Sequence, residues 1–199
     1  GGMRRVIPHM RSANPQLAQY ACLAVKHCCD NGRHRRMIVE DQALEPLVSL
    51  LKEVQIHGAR QSSKVVAAAA ATIWNLGTDM KIKDAIVEMD GSNTISHLIK
   101  LLDFDSDAET EHANDEVRSK AAGALAMLSE KHARNANSVS TCIPKLQEII
   151  LVPSNKEKKK LIRSCLSCLA VLARVPECLA LMDKLDFNCE KNVSNWIPD

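Results

Sequence analysis

Apolar residues recur along this chain in two alternating rhythms, and both are helical. In the first, Leu44-Glu-Pro-Leu47-Val48-Ser-Leu50-Leu51 carries apolar residues at i, i+3, i+4, i+6 and i+7. Ile95-Ser-His-Leu98-Ile99-Lys-Leu101-Leu102 and Ile143-Pro-Lys-Leu146-Gln-Glu-Ile149-Ile150 repeat the form. That spacing predicts an amphipathic helix of medium length, and Pro46 and Pro144 suit its opening turn. The second rhythm starts at Leu17, Val65, Val117 and Leu161, each expected to open a longer helix. Four and five residues on stand Ala21-Cys22, Ala69-Ala70, Ala121-Ala122 and Cys165-Leu166. Seven and eight on stand Ala24-Val25, Thr72-Ile73, Ala124-Leu125 and Cys168-Leu169; eleven on stand Cys28, Leu76, Leu128 and Leu172. Small and aliphatic residues at these offsets make a face that can lie flush against neighbouring helices.

A short polar or basic helix is expected between each long helix and the next medium one. Gly32 to Glu40 and Met80 to Met89 are examples, the second closed by Asp90-Gly91. A unit of three such helices cannot bury its faces alone, so successive units must stack. The spacing between units is uneven. The surplus falls each time in one connection, between the medium and the long helix, so the insertions emerge along one edge of the stack.

Aromatic residues are only 3% of the chain against 46% hydrophobic, which leaves Ala, Leu, Ile and Val to do the packing. Close helix-on-helix contact suits that composition. A formal net charge of +2 argues against a nucleic-acid partner held by bulk electrostatics. No apolar run is long enough to span a bilayer, and no N-terminal stretch reads as a signal peptide. Gly1-Gly2 before Met3 reads as a cloning remnant and is set aside. Cys22, Cys28, Cys165 and Cys168 fill slots where sister units carry Ala, Leu or Val, so they are expected as buried free thiols. Reduced thiols favour the cytoplasm, with the nucleus open.

The second unit, Leu44-Glu-Pro-Leu-Val-Ser-Leu-Leu51 followed by Ala69-Ala-Ala-Thr-Ile-Trp-Asn-Leu-Gly77, resembles the armadillo repeat family, and the similarity extends over roughly residues 5 to 185. The resemblance implies an all-α, right-handed solenoid in a single domain over 1–199. Complete repeats are expected at 31–78, 79–130 and 131–173, with partial ones at 5–30 and 174–185 and a tail at 186–199. It also implies that the long helices line a concave groove, where a ladder of Asn residues grips an extended peptide. The ladder slots here hold His27, Asn75, Met127 and Val171; only one is Asn. The slots four residues earlier, where import adaptors of the family carry Trp, hold Leu23, Ala71, Gly123 and Ser167. Nuclear import of lysine-rich signals is therefore disfavoured. Trp74 stands one residue before Asn75, where sister units carry Lys26, Ala126 and Ala170. It either fills a gap between repeats or flanks the groove as an aromatic anchor.

Other motifs weaken on inspection. Residues 103–116 carry seven acids and no Lys or Arg, but Ala108 and Asn114 replace the Gly and Glu of a calcium loop. A solvated, mobile insertion is expected there, with an acidic docking loop as the alternative. Lys156-Glu-Lys-Lys-Lys160 and Arg33-His-Arg-Arg36 read as solvated helix surface, with a weak nuclear-localisation or phosphate-contacting role as the alternative. Cys165-x-x-Cys168 has no second ligand pair for zinc. No nucleophile, base and orienting residue converge, so no catalysis, metal or cofactor is expected.

The resulting expectation is a non-catalytic scaffold or adaptor binding a protein partner in the groove, as a peptide or an amphipathic helix. Tyr20 and Trp74 would be anchors; Leu23, Ala71, Gly123 and Ser167 the floor; His27, Asn75, Met127 and Val171 the ladder. A regulatory or targeting domain of a longer enzyme, or of a small-GTPase regulator, is the alternative. Both ends of the repeat pattern read as partial units lacking polar caps, so the chain is expected to associate end to end. Light scattering at high protein concentration tests this, and a strict monomer contradicts it.

Overall fold

Polar residues stand at the starts of most helices, and their side chains accept hydrogen bonds from amides that a first turn leaves without partners. Asn14 accepts from the amides of Gln16 and Leu17, Asn31 from Arg33, Ser62 from Lys64, Asp79 from Lys81 and Thr110 from Ala113. His132 does the same for Asn135 through Nδ1. The computed structural model describes residues 2–56, 62–89, 93–105, 110–155 and 157–185, and among them every regular element is helical.

Helix α1 (Met3–Val6) leads through a 3₁₀ turn (Ile7–Arg11) into the long α2 (Pro15–Cys28). Three rounds of short, medium and long helix follow: α3 (Gly32–Glu40), α4 (Leu44–Ile56) and α5 (Ser63–Leu76); α6 (Met80–Glu88), α7 (Asn93–Lys100) and α8 (Glu111–Ser129); α9 (Ala133–Val139), α10 (Ile143–Leu151) and α11 (Lys159–Leu172). The short α12 (Pro176–Lys184) comes last. The long helices pack each on the next, α2 on α5, α5 on α8 and α8 on α11, and the medium helices lie against them. One continuous hydrophobic core runs from Ile7 to Met182. The chain is an all-α solenoid.

Helix α5 shows why small residues are needed. Every residue from Val65 through Ile73 is buried, because the helix is enclosed on several sides. A helix that is apolar all round belongs in an interior, and the Ala67–Ala71 run lets its neighbours come close. Six cysteines, Cys22, Cys29, Cys142, Cys165, Cys168 and Cys178, are buried free thiols.

Three sequence expectations need correction. Leu17 is 41% exposed although Val65, Val117 and Leu161 are buried; α2 has a long-helix neighbour on one side only. Cys28, in the last turn of α2, is only half-buried. Helix α8 starts at Glu111, ahead of Val117, so the second half of the acidic stretch is ordered helix rather than mobile insertion. Residues 106–109 and Asp90-Gly91, like Lys156 and the tail from 186 on, lie outside the described residues. The acidic helix start is stabilised twice. Negative charge suits a helix N-terminus, and Lys158 Nζ lies 2.5 Å from Glu111 and 3.2 Å from Asp115. Lys158 is thus paired rather than simply solvated.

That pair belongs to a series linking each repeat to the next. Arg4 meets Asp41 at 2.6 Å, Arg36 meets Asp79 at 3.3 Å, His132 meets Asp84 at 2.8 Å and Lys145 meets Asp103 at 2.6 Å; Arg11 pairs with Glu45. Exposed pairs of this kind contribute about 0–1 kcal/mol each, so they set register more than stability. The ends of the long helices are held more firmly. Arg35 donates to the Cys29 carbonyl at 2.6 Å, and Asn135 to the Leu128 carbonyl at 3.0 Å. Lys83, only 2% exposed, donates to the Glu130 carbonyl at 2.6 Å, and desolvation lowers its pKa.

Burial pushes the Cys22, Cys29 and Cys165 thiols from 9.0 up to about 12. Between those values the native state keeps protons that the unfolded chain releases. Their stabilising effect is therefore complete below pH 9 and lost as pH rises toward 12, by about 1.4 kcal/mol per pH unit for each thiol. Thermal unfolding from pH 8 to 11 should fall less steeply for Cys165→Ala, whose new side chain matches the sister slots Ala21, Ala69 and Ala121. An identical slope would refute this linkage.

Candidate functional site

Small side chains on a helix face leave a hollow wherever nothing else fills the space above them. Where α2, α5 and α8 lie side by side, Leu23, Ala67, Ala68 and Ala71 line a shallow depression of roughly 120 Å3. Gln19, Lys26, Lys64, Glu116 and Lys120 stand around it. A larger cleft of roughly 550 Å3 shares Glu116 and Lys120 and continues between the starts of α8 and α11, past Ser119 and Lys158 to Leu161. Ser119 Oγ lies 2.9 Å from Ser164 Oγ, joining α8 to α11 beneath it. Together the two hollows cross all four long helices.

Two of the expected floor residues, Leu23 and Ala71, thus line one depression. Leu23 is half-buried and Ala71 buried, while Ser167 on α11 is exposed. Gly123 has a different surrounding. A Cβ at Gly123 would lie 2.4 Å from Trp74 Cζ3, 2.5 Å from Cε3 and 2.8 Å from Cη2. The edge of the indole therefore rests directly on the α8 backbone, a place only glycine leaves free. Trp74 wedges between α5 and α8 yet stays half-exposed, so gap-filling and an accessible ring coexist in one side chain.

In the ladder row, Asn75 Nδ2 donates to the Lys26 carbonyl of α2 at 3.4 Å, a long hydrogen bond that ties one repeat to the last. Thr72 reinforces the same seam, its hydroxyl 2.8 Å from the Ala68 carbonyl and 3.3 Å from that of Cys22. Met127 is half-buried, with Cγ 3.3 Å from where a Gly77 Cβ would sit. His27 is exposed and Val171 half-buried. Tyr20, at 66% exposure, projects from α2.

Lys64 and Lys120 escaped the sequence reading, in which Lys159 and Lys160 count as solvated helix surface. Lys64, Glu116 and Lys160 each fall one position before the aligned helix starts, and Lys120 three after. A signal was present in the rows beyond the apolar face, where charge rather than hydrophobicity repeats.

The chain is similar to the armadillo repeat-containing protein gudu of Drosophila melanogaster, with 28% identity over 103 residues. The resemblance to armadillo repeats thus rests on sequence as well as on fold. That match covers 51% of this chain and 14% of the relative, so the chain spans a small part of its length. No protein-family model matches. Two engineered proteins of known crystal structure share the fold, with TM-scores of 0.77 and 0.74. Both are 18% identical to the chain; the alignments cover 94% and 92% of it and 70% and 68% of theirs. In an armadillo-like stack, Asn75 would be the one ladder amide, and here it already has a backbone partner in the preceding repeat.

The Trp74–Gly123 contact makes a sharp prediction. Gly123→Ala alone should destabilise by about 1–3 kcal/mol, because the ring must move or the helices part. In a Trp74→Ala background the same change should instead stabilise, by about 0.5–1 kcal/mol, as glycine leaves a helix interior. Urea unfolding of the four proteins measures the coupling; additive effects would mean that ring and backbone do not touch.

Proposed function

We propose that the chain is a non-catalytic scaffold that holds a segment of a partner protein in the groove crossing α2, α5, α8 and α11. The observation that carries this reading is the run of hollows from Leu23 and Ala71 to Lys120 and Lys160, open over α5 because the alanines there are too small to fill the space and continued by a charged cleft between α8 and α11. The helices beneath share one core, so the surface is preorganised and loses little freedom on binding. An amphipathic helix suits a shallow apolar trough. Tyr20 and the accessible part of Trp74 would anchor it, since aromatic side chains dominate binding hot spots. The rows Leu23, Ala71, Gly123, Ser167 and His27, Asn75, Met127, Val171 would border the bound segment. Buried, reduced thiols suit the cytoplasm or the nucleus as the place of action.

A photo-crosslinking residue at Gln19 or Ser167 tests the assignment in cells, with Lys81 on α6 as the control position. The groove positions should capture a partner that Lys81 does not, and Leu23→Arg should abolish the capture while helicity and melting temperature are retained. Tyr20→Ala should weaken the captured partner's affinity by about tenfold. Equal capture at Lys81, or capture unaffected by Leu23→Arg, rejects the groove.

A further inference from the structure

We propose that this groove selects an acidic segment, a helix-forming stretch of the partner with Asp and Glu flanking its apolar face. The inference rests on the groove reading above and adds the chemical class of the ligand.

The charges of this protein are distributed unevenly. Outside the groove, several cations are paired across repeats: Arg4 with Asp41, Arg36 with Asp79 and Lys145 with Asp103. Even at the mouth of the larger cleft, Glu111 and Asp115 are taken up by Lys158. Inside, Lys26, Lys64 and Lys120 surround the depression, and Lys159 and Lys160 continue the series along the cleft. Among the described residues none of these five makes an ion pair; Glu116 lines both hollows and Glu157 the larger one, so the excess of lysines is concentrated at the depression. Their positions matter as much as their number. Lys64 and Lys160 open α5 and α11, and Lys120 lies one turn further along in repeat register. Lys26, in the last turn of α2, lies near the far end of the long helices. A segment lying across the long helices, apolar face down on Leu23, Ala68 and Ala71, would have cations along both flanks.

With a formal charge of only +2 over the whole chain, such a local excess is not bulk basicity. In the depression three lysines face Glu116 over a floor of Leu23, Ala67, Ala68 and Ala71, and a local excess of one sign above an apolar floor raises the rate and selectivity of encounter with the opposite charge. A single-stranded nucleic acid carries the same sign as an acidic peptide, but stacking platforms need aromatic side chains. No Phe, Tyr or Trp is among the described residues lining the depression or the cleft; Tyr20 and Trp74 stand outside that lining. An acidic protein segment is the better match.

Random peptides displayed on phage, selected in parallel on two proteins, provide the test. The wild-type chain should enrich peptides rich in Asp and Glu. A Lys64→Glu, Lys120→Glu, Lys160→Glu variant should enrich Lys and Arg instead, and should bind the best acidic peptide at least about tenfold more weakly. Lys81→Glu, Arg134→Glu, Lys184→Glu changes the net charge equally at positions away from the groove and should leave that affinity unchanged. Added salt should weaken the wild-type complex. Peptides that lose binding on Leu23→Arg but show no acidic bias would keep the groove and overturn its acidic selectivity. Peptides indifferent to Leu23→Arg, or no binders at all, would overturn the groove reading itself. Polyuridylate displacing the acidic peptide at equal concentration would assign the cations to nucleic acid and overturn the proposal.

Discussion

Close approach between successive long helices is the constraint on which the rest of this structure depends. Ala69, Ala70, Ala121, Ala122 and Cys165 bring α5, α8 and α11 together with little side-chain bulk between them, and the whole of α5 from Val65 to Ile73 is buried as a result. Dispersion contacts and apolar burial both rise as backbones come closer. Small residues allow that closeness but cannot fill every gap, and the remaining space has two uses. Beneath the surface it is occupied by the Trp74 indole, seated on Gly123. Above Ala67, Ala68 and Ala71 it stays open as the depression.

Polar chemistry follows from the same stacking. A helix that ends inside a solenoid leaves carbonyls without partners, and each must be satisfied by a neighbour. Arg35 caps α2 and Asn135 caps α8, each reaching from a short helix of the repeat that follows, while Lys83 caps α8 from the short helix of its own repeat. The Arg35 and Asn135 contacts couple a repeat to the one before it, which is how a one-dimensional stack acquires cooperativity. Lys83 illustrates the balance. Its ammonium gains a carbonyl and suffers desolvation, and the second effect is the largest influence on its pKa. The ion pairs at the outer edges use up charge that would otherwise compete with the groove lysines for an acidic ligand.

Much of this was legible in the residues. The short helices Gly32–Glu40 and Met80–Glu88 fall where the polar intervals put them, and a further short helix, Pro176–Lys184, follows the last long one. Buried cysteines followed from their slots, except Cys28, where proximity to a helix end outweighed the repeat pattern. The acidic stretch misled because composition speaks of solvation, whereas Thr110 and Lys158 turn its second half into the start of α8. Lys158 is distant in sequence, and no local pattern reports a partner one repeat away.

Taken alone, then, the order of residues determined that helices form, in which sequence, and which face of each must be covered. Periodicity and capping are local, so they are written in neighbouring residues. Tertiary structure decided what only contact between repeats can decide: that Gly123 exists for Trp74, that Asn75 reaches the α2 backbone, and that five lysines with no ionic partner among the described residues gather around one groove. The reason is physical. Small residues specify that helices approach, but the space left over, and the charges that come to face it, emerge only once the helices are stacked.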